Sequence, residues 1–299
     1  MSQLVDIDNF KREMTGTARY KLSDASVFLS PGGFHCIDYL DPPVVAPRPL
    51  DDVILSGQDI IYIERSLQSN EERFSSQLAT VRKYVALSKA RLLDIGCGGG
   101  LFLTKARECG ADSVGVELSE TRAKYATSRH GLDIVQYPVE HEVWATRSSE
   151  FDAVSLWDVI EHVNYPQQTL HHAIRLLKPG GYLFIDTPCR DAFYHRMGAL
   201  TYRLTGGRFP TFLNTLYSQQ PFGHKQILST DEMQALFEDS GLEVVEVRKF
   251  HELSFPIPFY LKRMLKSDWL VRMVRPTVSI ALFIFPVRNK MLAVGRKPL

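Results

Sequence analysis

The chain has 299 residues, of which 44% are hydrophobic and 23% charged, a composition typical of globular proteins that excludes full disorder or a fibrous repeat. This length favours one large domain with insertions over two domains. Because 35 Lys and Arg balance 34 Asp and Glu, no nucleic-acid partner is expected. The four cysteines form no C-x-x-C pair, and the N-terminus carries charges where a signal peptide needs an apolar core, so we expect a cytoplasmic protein.

The order of predicted elements indicates an α/β fold. Residues 1–68 are predicted to be an irregular arm rich in proline and glycine, and a helix is predicted over 69–87. Short apolar runs then alternate with helical patterns, as in βαβ units, with insertions at 187–228 and 251–288. The predicted strands are Arg91–Ile95, Ser113–Glu117, Asp133–Tyr137, Phe151–Leu156, Gly181–Asp186, Glu243–Phe250 and Lys290–Arg296, and the predicted helices are Leu101–Cys109, Ser119–Arg129, Pro166–Leu177 and Thr230–Ser240.

The sharpest motif is a glycine-rich loop after the first strand of this alternation. The strand leads through Asp94 to Gly96, Gly98 and Gly100, which precede the next helix. Glycine is needed where the backbone turns tightly and approaches a ligand without a Cβ atom in the way. The following strand ends in Glu117, about 20 residues later, where an acid can accept both hydroxyl groups of a ribose. The motif therefore predicts a nucleoside ligand at the carboxyl end of the first strand.

Two classes of nucleoside ligand compete for such a loop. A dinucleotide loop, G-x-G-x-x-G/A, would end in Gly or Ala where this chain has Leu101, and Asp94 would repel a pyrophosphate. S-adenosylmethionine has an ammonium group and no phosphate, so Asp94 suits it better. An NAD(P)-dependent oxidoreductase is the alternative, and a non-catalytic module that binds an adenosyl ligand is a third interpretation.

Four segments, LLDIGCGGG, VGVELSE, FDAVSLWDVIEHV and LLKPGGYLFIDTP, resemble the motifs of class I S-adenosylmethionine-dependent methyltransferases. The chain is most similar to the branch of ubiquinone-biosynthesis O-methyltransferases and of glycan and natural-product methyltransferases. The resemblance implies a Rossmann-like methyltransferase domain over 69–299, with a mostly parallel seven-stranded sheet, an antiparallel last strand and helical lid insertions. It implies methyl transfer from S-adenosylmethionine to oxygen of a small-molecule, glycan or lipid-linked acceptor, with S-adenosylhomocysteine as product.

The same resemblance implies a set of cofactor-binding residues. Within it, Glu117 would bind the ribose, Trp157 and Asp158 would form the floor of the site, and Tyr62 belongs to a segment that would close over it. Pro138 stands where many relatives have an Asp near the adenine. The whole implied set is Tyr62, Asp94, Gly96, Cys97, Gly98, Gly100, Glu117, Leu118, Val139, Glu140, Trp157 and Asp158.

A histidine and two acids follow the fourth strand. Asp158, Glu161 and His162 are spaced i, i+3 and i+4, so a helix starting near Asp158 would place them on one face. His162 could act as general base for an acceptor hydroxyl, with Glu161 or Asp158 as its partner. Ubiquinone-branch enzymes have a similar pattern, which could hold a divalent cation such as Mg²⁺. A structural role in capping the loop is the third interpretation. We take His162 and Glu161 as the catalytic candidates and assign no metal ligand.

The first insertion, 187–228, is rich in aromatic and basic residues. They could grip an acceptor or form the core of a helical lid, and His195 and His224 are alternative bases. The set is Phe193, Tyr194, His195, Arg196, Tyr202, Arg203, Phe209, Phe212, Tyr217, Phe222 and His224.

The second insertion, 251–288, combines apolar and basic residues. Its apolar run, Thr277–Val287, is shorter than the ~20 residues that span a bilayer. A peripheral contact with anionic lipid, or a pocket for a lipid-linked acceptor, is one interpretation. The simpler one is a helical cover packed on the sheet with its basic side chains in solvent.

Overall fold

The computed structural model describes residues 16–30, 33–210, 213–220, 223–252, 257–265, 267–284 and 288–299. Its strands are β1 Tyr20–Lys21, β2 Ser26–Leu29, β3 His35–Ile37, β4 Arg91–Ile95, β5 Asp112–Val116, β6 Asp133–Val135, β7 Phe151–Trp157, β8 Leu177–Pro188, β9 Gln226–Ile227, β10 Glu243–Phe250 and β11 Lys290–Arg296. Its α-helices are α1 Gly57–Ser69, α2 Glu71–Val81, α3 Leu101–Glu108, α4 Glu120–His130, α5 Pro166–Leu176, α6 Phe193–Leu204, α7 Thr230–Asp239, α8 Ile257–Met264 and α9 Asp268–Ile284.

Seven strands form one sheet in the order β10-β11-β8-β7-β4-β5-β6. Strands β6, β5, β4, β7 and β8 pair in parallel, with Leu93 opposite Val114 and Leu92 opposite Ala153. The last strand, β11, is antiparallel to both of its neighbours. The predicted α/β fold with a mostly parallel seven-stranded sheet and an antiparallel last strand is confirmed. The chain turns outward in both directions from β4, which leaves a crevice at the carboxyl ends of the strands.

Both faces of this sheet are buried under helices. Along β4, Leu93 and Ile95 belong to one apolar cluster, whereas Leu92 belongs to a second cluster that includes Phe102 of α3. Side chains alternate between the faces of a strand, so two covered faces require the continuous apolar runs seen in the sequence. A charged residue such as Asp94, lying within such a run, is therefore exceptional.

A second, smaller sheet corrects the expectation for the N-terminal region. Strands β1, β2, β3 and β9 pair in that order, all antiparallel. They share a small core that contains Val27, Ile37, Tyr217 and Ile227. The segments that form β1, β2 and β3 are thus not irregular. Local periodicity could not reveal this, because β3 pairs with a strand from the insertion at 187–228.

The helix predicted over 69–87 is confirmed at its start, where Asn70 is the N-cap residue and acidic residues occupy the first turn, but it ends before Leu87. Most of helix α1 lies in the arm expected to be irregular, which corrects that expectation. Helix α1 ends at Ser69 and α2 covers only Glu71–Val81, with Asn70 between them. Helix α1 begins with a capping box in which Ser56 and Asp59 exchange side-chain and backbone hydrogen bonds. That capping signal was available in the sequence. The predicted domain boundary at residue 68 falls at the end of α1 and stays a prediction.

Each insertion contributes helices near the carboxyl edge of the large sheet. In the first, Tyr217 is buried while Phe193 and Phe209 are exposed; Phe212 and Phe222 lie outside the described residues. The second insertion contains α8 and α9. Over the described parts of the chain, no helix is long and apolar enough to cross a membrane.

Candidate functional site

The glycine loop joins β4 to α3 at the carboxyl edge of the sheet. Gly96, Gly98 and Gly100 have φ angles of 76°, 57° and 81°, which L-residues with a side chain rarely adopt. A Cβ atom on Gly96 would lie 2.6 Å from Cγ2 of Val159, whereas one on Gly98 would meet no atom within 4 Å. Gly98 therefore faces open space, as expected of a backbone that a ligand approaches.

Two buried carboxyl groups flank this loop. Asp94 is 2% exposed and accepts a hydrogen bond from the Ser155 hydroxyl at 2.6 Å. Glu117, just beyond β5, accepts from the backbone N–H of Gly98 at 2.8 Å and of Ser119 at 2.7 Å. Burial raises the pKa of Asp94 to about 8, although the Ser155 bond opposes it, and burial also raises the pKa of Glu117. Among the described residues, no Lys or Arg forms an ion pair with either group.

These groups fit S-adenosylmethionine and do not fit a dinucleotide. Two buried acids without a cationic partner favour a ligand that brings positive charge, and they would repel a pyrophosphate. One Glu117 oxygen accepts from Gly98 of the loop and the other from Ser119 at the start of α4, and each keeps a second lone pair for a ribose hydroxyl. Glu117 thus fixes the loop and would also hold the ribose.

The other cofactor-binding candidates surround the loop at different depths. Cys97, Val139 and Trp157 are buried, and Trp157 makes an edge contact with Phe102 beneath the loop. Leu118 is half-buried. The carboxylate of Glu140 accepts a hydrogen bond from Thr169 on α5, so it already has a protein partner. These assignments stay predictions.

Helix α1 covers the loop, although Tyr62 does not point into it. A Cβ atom on Gly99 would lie 3.0 Å from side-chain atoms of Ile63 and Leu67, which places one face of α1 against the loop. Tyr62, on the same helix, is 66% exposed. Closure of Tyr62 over the cofactor stays a prediction.

A buried charge cluster lies beyond the loop, at the ends of β7, β8 and β11. Lys290 contacts Asp158 at 2.5 Å and Glu252 at 2.8 Å, and Arg73 of α2 contacts the other oxygen of Asp158. Asp186 accepts from the backbone N–H of Asp158 at 2.8 Å and lies within 3.6 Å of both cations. Burial alone would raise the pKa of Asp158, but Lys290 and Arg73 outweigh it and lower that pKa below its ordinary value. Asp158 is therefore ionised and fully paired.

Sequence reasoning missed most of this cluster. Arg73 and Gln77 are one helical turn apart on α2, and Gln77 donates to Asp186 at 2.9 Å. Lys290 is a buried cation in an apolar strand, a local signal that something opposite must neutralise it. Asp186 ends a predicted strand at the same edge as Asp94, so its position could have been inferred.

The segment after Asp158 is a turn and not the expected helix. Asp158 has a φ of 52°, residues 158–164 form turns and bends, and α5 begins only at Pro166. Asp158 and Glu161 therefore have different partners. Glu161 is 1% exposed and accepts from the Thr187 hydroxyl at 2.9 Å. Burial first, and the nearby Asp158 second, raise the pKa of Glu161 well above its ordinary value.

His162 lies next to Glu161, with Nε2 of the histidine 3.8 Å from Oε1 of the acid. The His224 ring, from the first insertion, lies 4.8 Å from the His162 ring. Burial and then His162 lower the pKa of His224 to about 4. The expected three-residue group is thus corrected: Glu161 and His162 are brought together with His224, and Asp158 belongs to the charge cluster.

Glu161, His162 and His224 offer potential ligand atoms within 4.8 Å of one another. A cation that bridges Asp158, Glu161 and His162 does not fit, because two cationic side chains already occupy Asp158. The other alternative base, His195, is buried 3.2 Å from the Tyr217 hydroxyl, and burial lowers its pKa to about 4. His195 therefore packs within the small-sheet region and does not face the loop's acids.

A doubly wound sheet with a glycine loop and two buried acids at its switch point is the arrangement expected of a class I S-adenosylmethionine-dependent methyltransferase. The sequence model of the methyltransferase domain family matches residues 65–247, and the chain belongs to that family. Its cofactor is S-adenosylmethionine.

Proteins with related sequences share this function class. The chain is 26% identical over 197 residues to the ubiquinone biosynthesis O-methyltransferase of Coxiella burnetii, a match that covers 65% of this chain and 81% of that protein. It is 30% identical over 169 residues to the ubiquinone biosynthesis O-methyltransferase of Bordetella avium, covering 54% and 67% respectively.

Solved structures show the same fold. An S-adenosylmethionine-dependent methyltransferase from Thermotoga maritima matches with a TM-score of 0.51 and 20% identity, covering 80% of this chain and 97% of the other. The [4+2]-cyclase SpnF matches equally well, with a TM-score of 0.51 and 17% identity, covering 75% of this chain and 81% of the other. Since a cyclase shares the fold, the fold alone does not define the reaction.

Proposed function

We propose that the protein transfers the methyl group of S-adenosylmethionine to a hydroxyl oxygen of a small-molecule, glycan or lipid-linked acceptor. The observation that carries the proposal is the position of His162: it lies in the turn after β7, at the edge where the glycine loop would hold the cofactor, and its side chain is 29% exposed beside the buried Glu161. A partly exposed imidazole at this edge is suited to take a proton from an incoming hydroxyl group.

S-adenosylmethionine supplies an activated methyl group, so the protein has little covalent chemistry to perform. Its main tasks are to align the acceptor with the methyl group and to exclude water. Asp94 would hold the ammonium group, Glu117 the ribose, and α1 shields the loop through Ile63. Among the described cysteines, Cys97 and Cys189 are buried, and burial raises the pKa of both thiols, which argues against covalent catalysis through them.

His162 has the features of the base, with Glu161 as its orienting neighbour. The raised pKa of Glu161 favours its neutral, protonated form, which would not compete for the acceptor's proton. His224 is neutral as well and packs against the His162 ring, which limits where that ring can lie. In the proposed step, His162 would remove the hydroxyl proton as the oxygen bonds to the methyl carbon, while the bond from that carbon to the sulfonium sulfur breaks and S-adenosylhomocysteine leaves.

The relatives support oxygen as the acceptor atom, since those named above are O-methyltransferases. The acceptor pocket would be formed by the insertions, and Tyr194, which lines a small cavity with His195 and Cys189, is one candidate contact. The implied cofactor set and the division into an arm, a domain and two insertions are parts of this proposal.

The experiment is transfer of an isotope-labelled methyl group from S-adenosylmethionine into a cell extract, with tandem mass spectrometry of the labelled product. The proposal expects the label on an oxygen atom of a low-molecular-weight or lipid-extractable product. Label on nitrogen or carbon would contradict O-methylation. Binding of both adenosyl ligands by calorimetry without any labelled product, across extracts and an acceptor panel, would indicate a binding module.

A further inference from the structure

Helix α9 carries an exposed apolar stripe. Trp269, Met273 and Ile280 are 66%, 61% and 60% exposed, and their spacings of four and seven residues place them on one side of the helix. Leu270 and Val274 lie beside them and are also exposed. The expectation of a cover that packs its apolar side chains on the sheet is therefore wrong for this stripe.

The buried side of α9 is narrow and differs from the stripe. Val271 is only 4% exposed, and Val278 is half-buried. Helix α9 packs against α8, where Leu261 is buried. The apolar stripe therefore faces away from the contacts between α8 and α9. We call residues 257–284, which contain these two helices, the α8–α9 hairpin.

Basic side chains flank the stripe. Arg272 and Arg275 lie between its members in sequence and are exposed on the adjacent side of the helix. Asp268 is the only acidic residue in the sequence between 257 and 288, and Lys262 of α8 pairs with it at 2.9 Å. The basic residues of this segment are Lys262, Arg263, Lys266, Arg272, Arg275 and Arg288.

We propose that the α8–α9 hairpin docks on the surface of an anionic lipid bilayer. Trp269, Met273 and Ile280 would enter the boundary between headgroups and acyl chains, and Arg272 and Arg275 would bind lipid phosphates. Charge complementarity selects this occupant: five basic residues in the hairpin and Arg288 after it, against the one acidic residue Asp268, match an anionic surface. Tryptophan, with an apolar body and a polar N–H, is suited to the interface. Helix α9 has 17 residues and two exposed arginines, so it lies along the surface and does not cross it.

Docking through this hairpin would hold the carboxyl edge of the sheet close to the lipid. The insertion leaves and rejoins the sheet at that edge, where Glu252 and Asn289 exchange hydrogen bonds between backbone and side chain. Next to them, Lys290 contacts both Glu252 and Asp158. The proposal does not depend on the reaction, because vesicle binding is measured without turnover.

Intrinsic fluorescence tests the proposal directly with the full chain. Of the three tryptophans, Trp144 and Trp157 are buried and Trp269 is exposed, so a spectral change on lipid addition reports on α9. Vesicles of phosphatidylcholine alone are compared with vesicles of phosphatidylcholine and phosphatidylglycerol, by co-sedimentation and by emission. We expect binding and a blue shift only with the anionic vesicles, weakened by salt.

Two variants and two matched controls locate the surface. Arg272→Glu combined with Arg275→Glu should weaken binding to anionic vesicles by about tenfold or more, and Trp269→Ser combined with Met273→Ser should weaken it similarly. Arg82→Glu combined with Lys83→Glu makes the same charge change on exposed residues just after α2, outside the hairpin. Ile54→Ser removes another exposed apolar residue outside the hairpin. Both controls should bind as the wild type does.

Three outcomes would overturn the proposal. One is equal binding to neutral and anionic vesicles, or none to either. A second is equal loss in the hairpin variants and in their controls. The third is that the wild type does not bind vesicles but forms a dimer in solution, which Trp269→Ser combined with Met273→Ser dissociates. The stripe would then be an interface between copies of the chain.

Discussion

The carboxyl edge of the large sheet has two halves, which we name after the proposed function: the cofactor half at β4 and β5, and the acceptor half at β7, β8 and β11. They differ in how the negative charge of their acidic side chains is compensated. In the cofactor half, at β4 and β5, Asp94 and Glu117 are buried without an ion-pair partner among the described residues. In the acceptor half, at β7, β8 and β11, Asp158 is paired with Lys290 and Arg73. The pKa of Asp94 is therefore raised, while that of Asp158 is lowered.

This difference indicates which half depends on the ligand. Uncompensated buried acids are costly, and a cationic ligand relieves that cost when it binds. The acceptor half already contains its counter-charges, so its geometry is fixed before any ligand arrives. Substitutions in the cofactor half should therefore change binding, and substitutions in the acceptor half should change stability or rate.

The largest effect on binding is expected from Gly98→Val. A side chain at this position would project into the open space in front of the loop, and valine tolerates the positive φ poorly. We expect no measurable binding of S-adenosylmethionine by calorimetry.

Gly241→Val is the matched control for this change. Gly241 also has a positive φ, of 79°, and a Cβ atom there would meet nothing within 4 Å, but it lies after α7 and far along the chain from the loop. It should lose stability without losing affinity. Wild-type affinity in Gly98→Val would show that the cofactor does not approach this loop.

Lys290→Met should test the acceptor half through stability. Removing the buried ammonium group leaves the buried Asp186 and the half-buried Asp158 and Glu252 with one fewer cation, which should lower the free energy of unfolding by about 3–5 kcal/mol. Denaturant unfolding measures this. The control, Lys178→Met, removes a surface ion pair with Asp152 and should cost less than about 1 kcal/mol. Equal losses in both variants would refute the special role of the buried cluster.

His162→Ala should lower the methylation rate by about a hundredfold with little change in cofactor affinity, because a base acts in the transition state and does not hold the cofactor. The rates should be measured in a chelator as well. Loss of wild-type activity in chelator, restored by Mg²⁺, would favour a cation at Glu161, His162 and His224. Full activity of His162→Ala in chelator would eliminate both roles.

Glu117→Ala should weaken cofactor binding by about thirtyfold, as expected when hydrogen bonds to a charged group are lost. The loop should also become less ordered, since Glu117 accepts from Gly98 and Ser119. Glu120→Ala, three residues away, removes an exposed acid that pairs with Arg48 and should leave affinity unchanged. Comparing the two variants shows whether cofactor affinity depends on the Glu117 side chain itself or only on the loss of one negative charge.

The cofactor half could be predicted from sequence because its parts are local. The strand, the glycines and Glu117 lie within one βαβ unit, so spacing alone brings them together. The small sheet was missed for the opposite reason: β3 pairs with β9, far along the chain, with His35 opposite Ile227.

The acceptor half could not be predicted in the same way. Four separate segments supply the charged residues Arg73, Asp158, Asp186 and Lys290. The sheet order brings the ends of β7, β8 and β11 together, and α2 adds Arg73. The periodicity argument for Asp158, Glu161 and His162 failed because the chain turns at Asp158 with a positive φ, a conformation that aspartate adopts more readily than most residues. This half of the site is formed by contacts between distant segments, which spacing along the sequence does not predict.

The smallest effect follows from the raised pKa of Asp94. With a pKa of about 8 in the cofactor-free protein, Asp94 is largely neutral at pH 7 and half ionised at pH 8. The cofactor's positive charge favours the ionised form, so binding should release a proton, and affinity should rise about fivefold between pH 7 and pH 8. Calorimetry in buffers of different ionisation enthalpy measures both quantities. In Asp94→Asn the pH dependence from this group should vanish, leaving only that of the cofactor's own amino group. An affinity that is unchanged or falls with pH in the wild type would mean that Asp94 stays neutral in the complex, and that the cofactor half is not completed by the charge of its ligand.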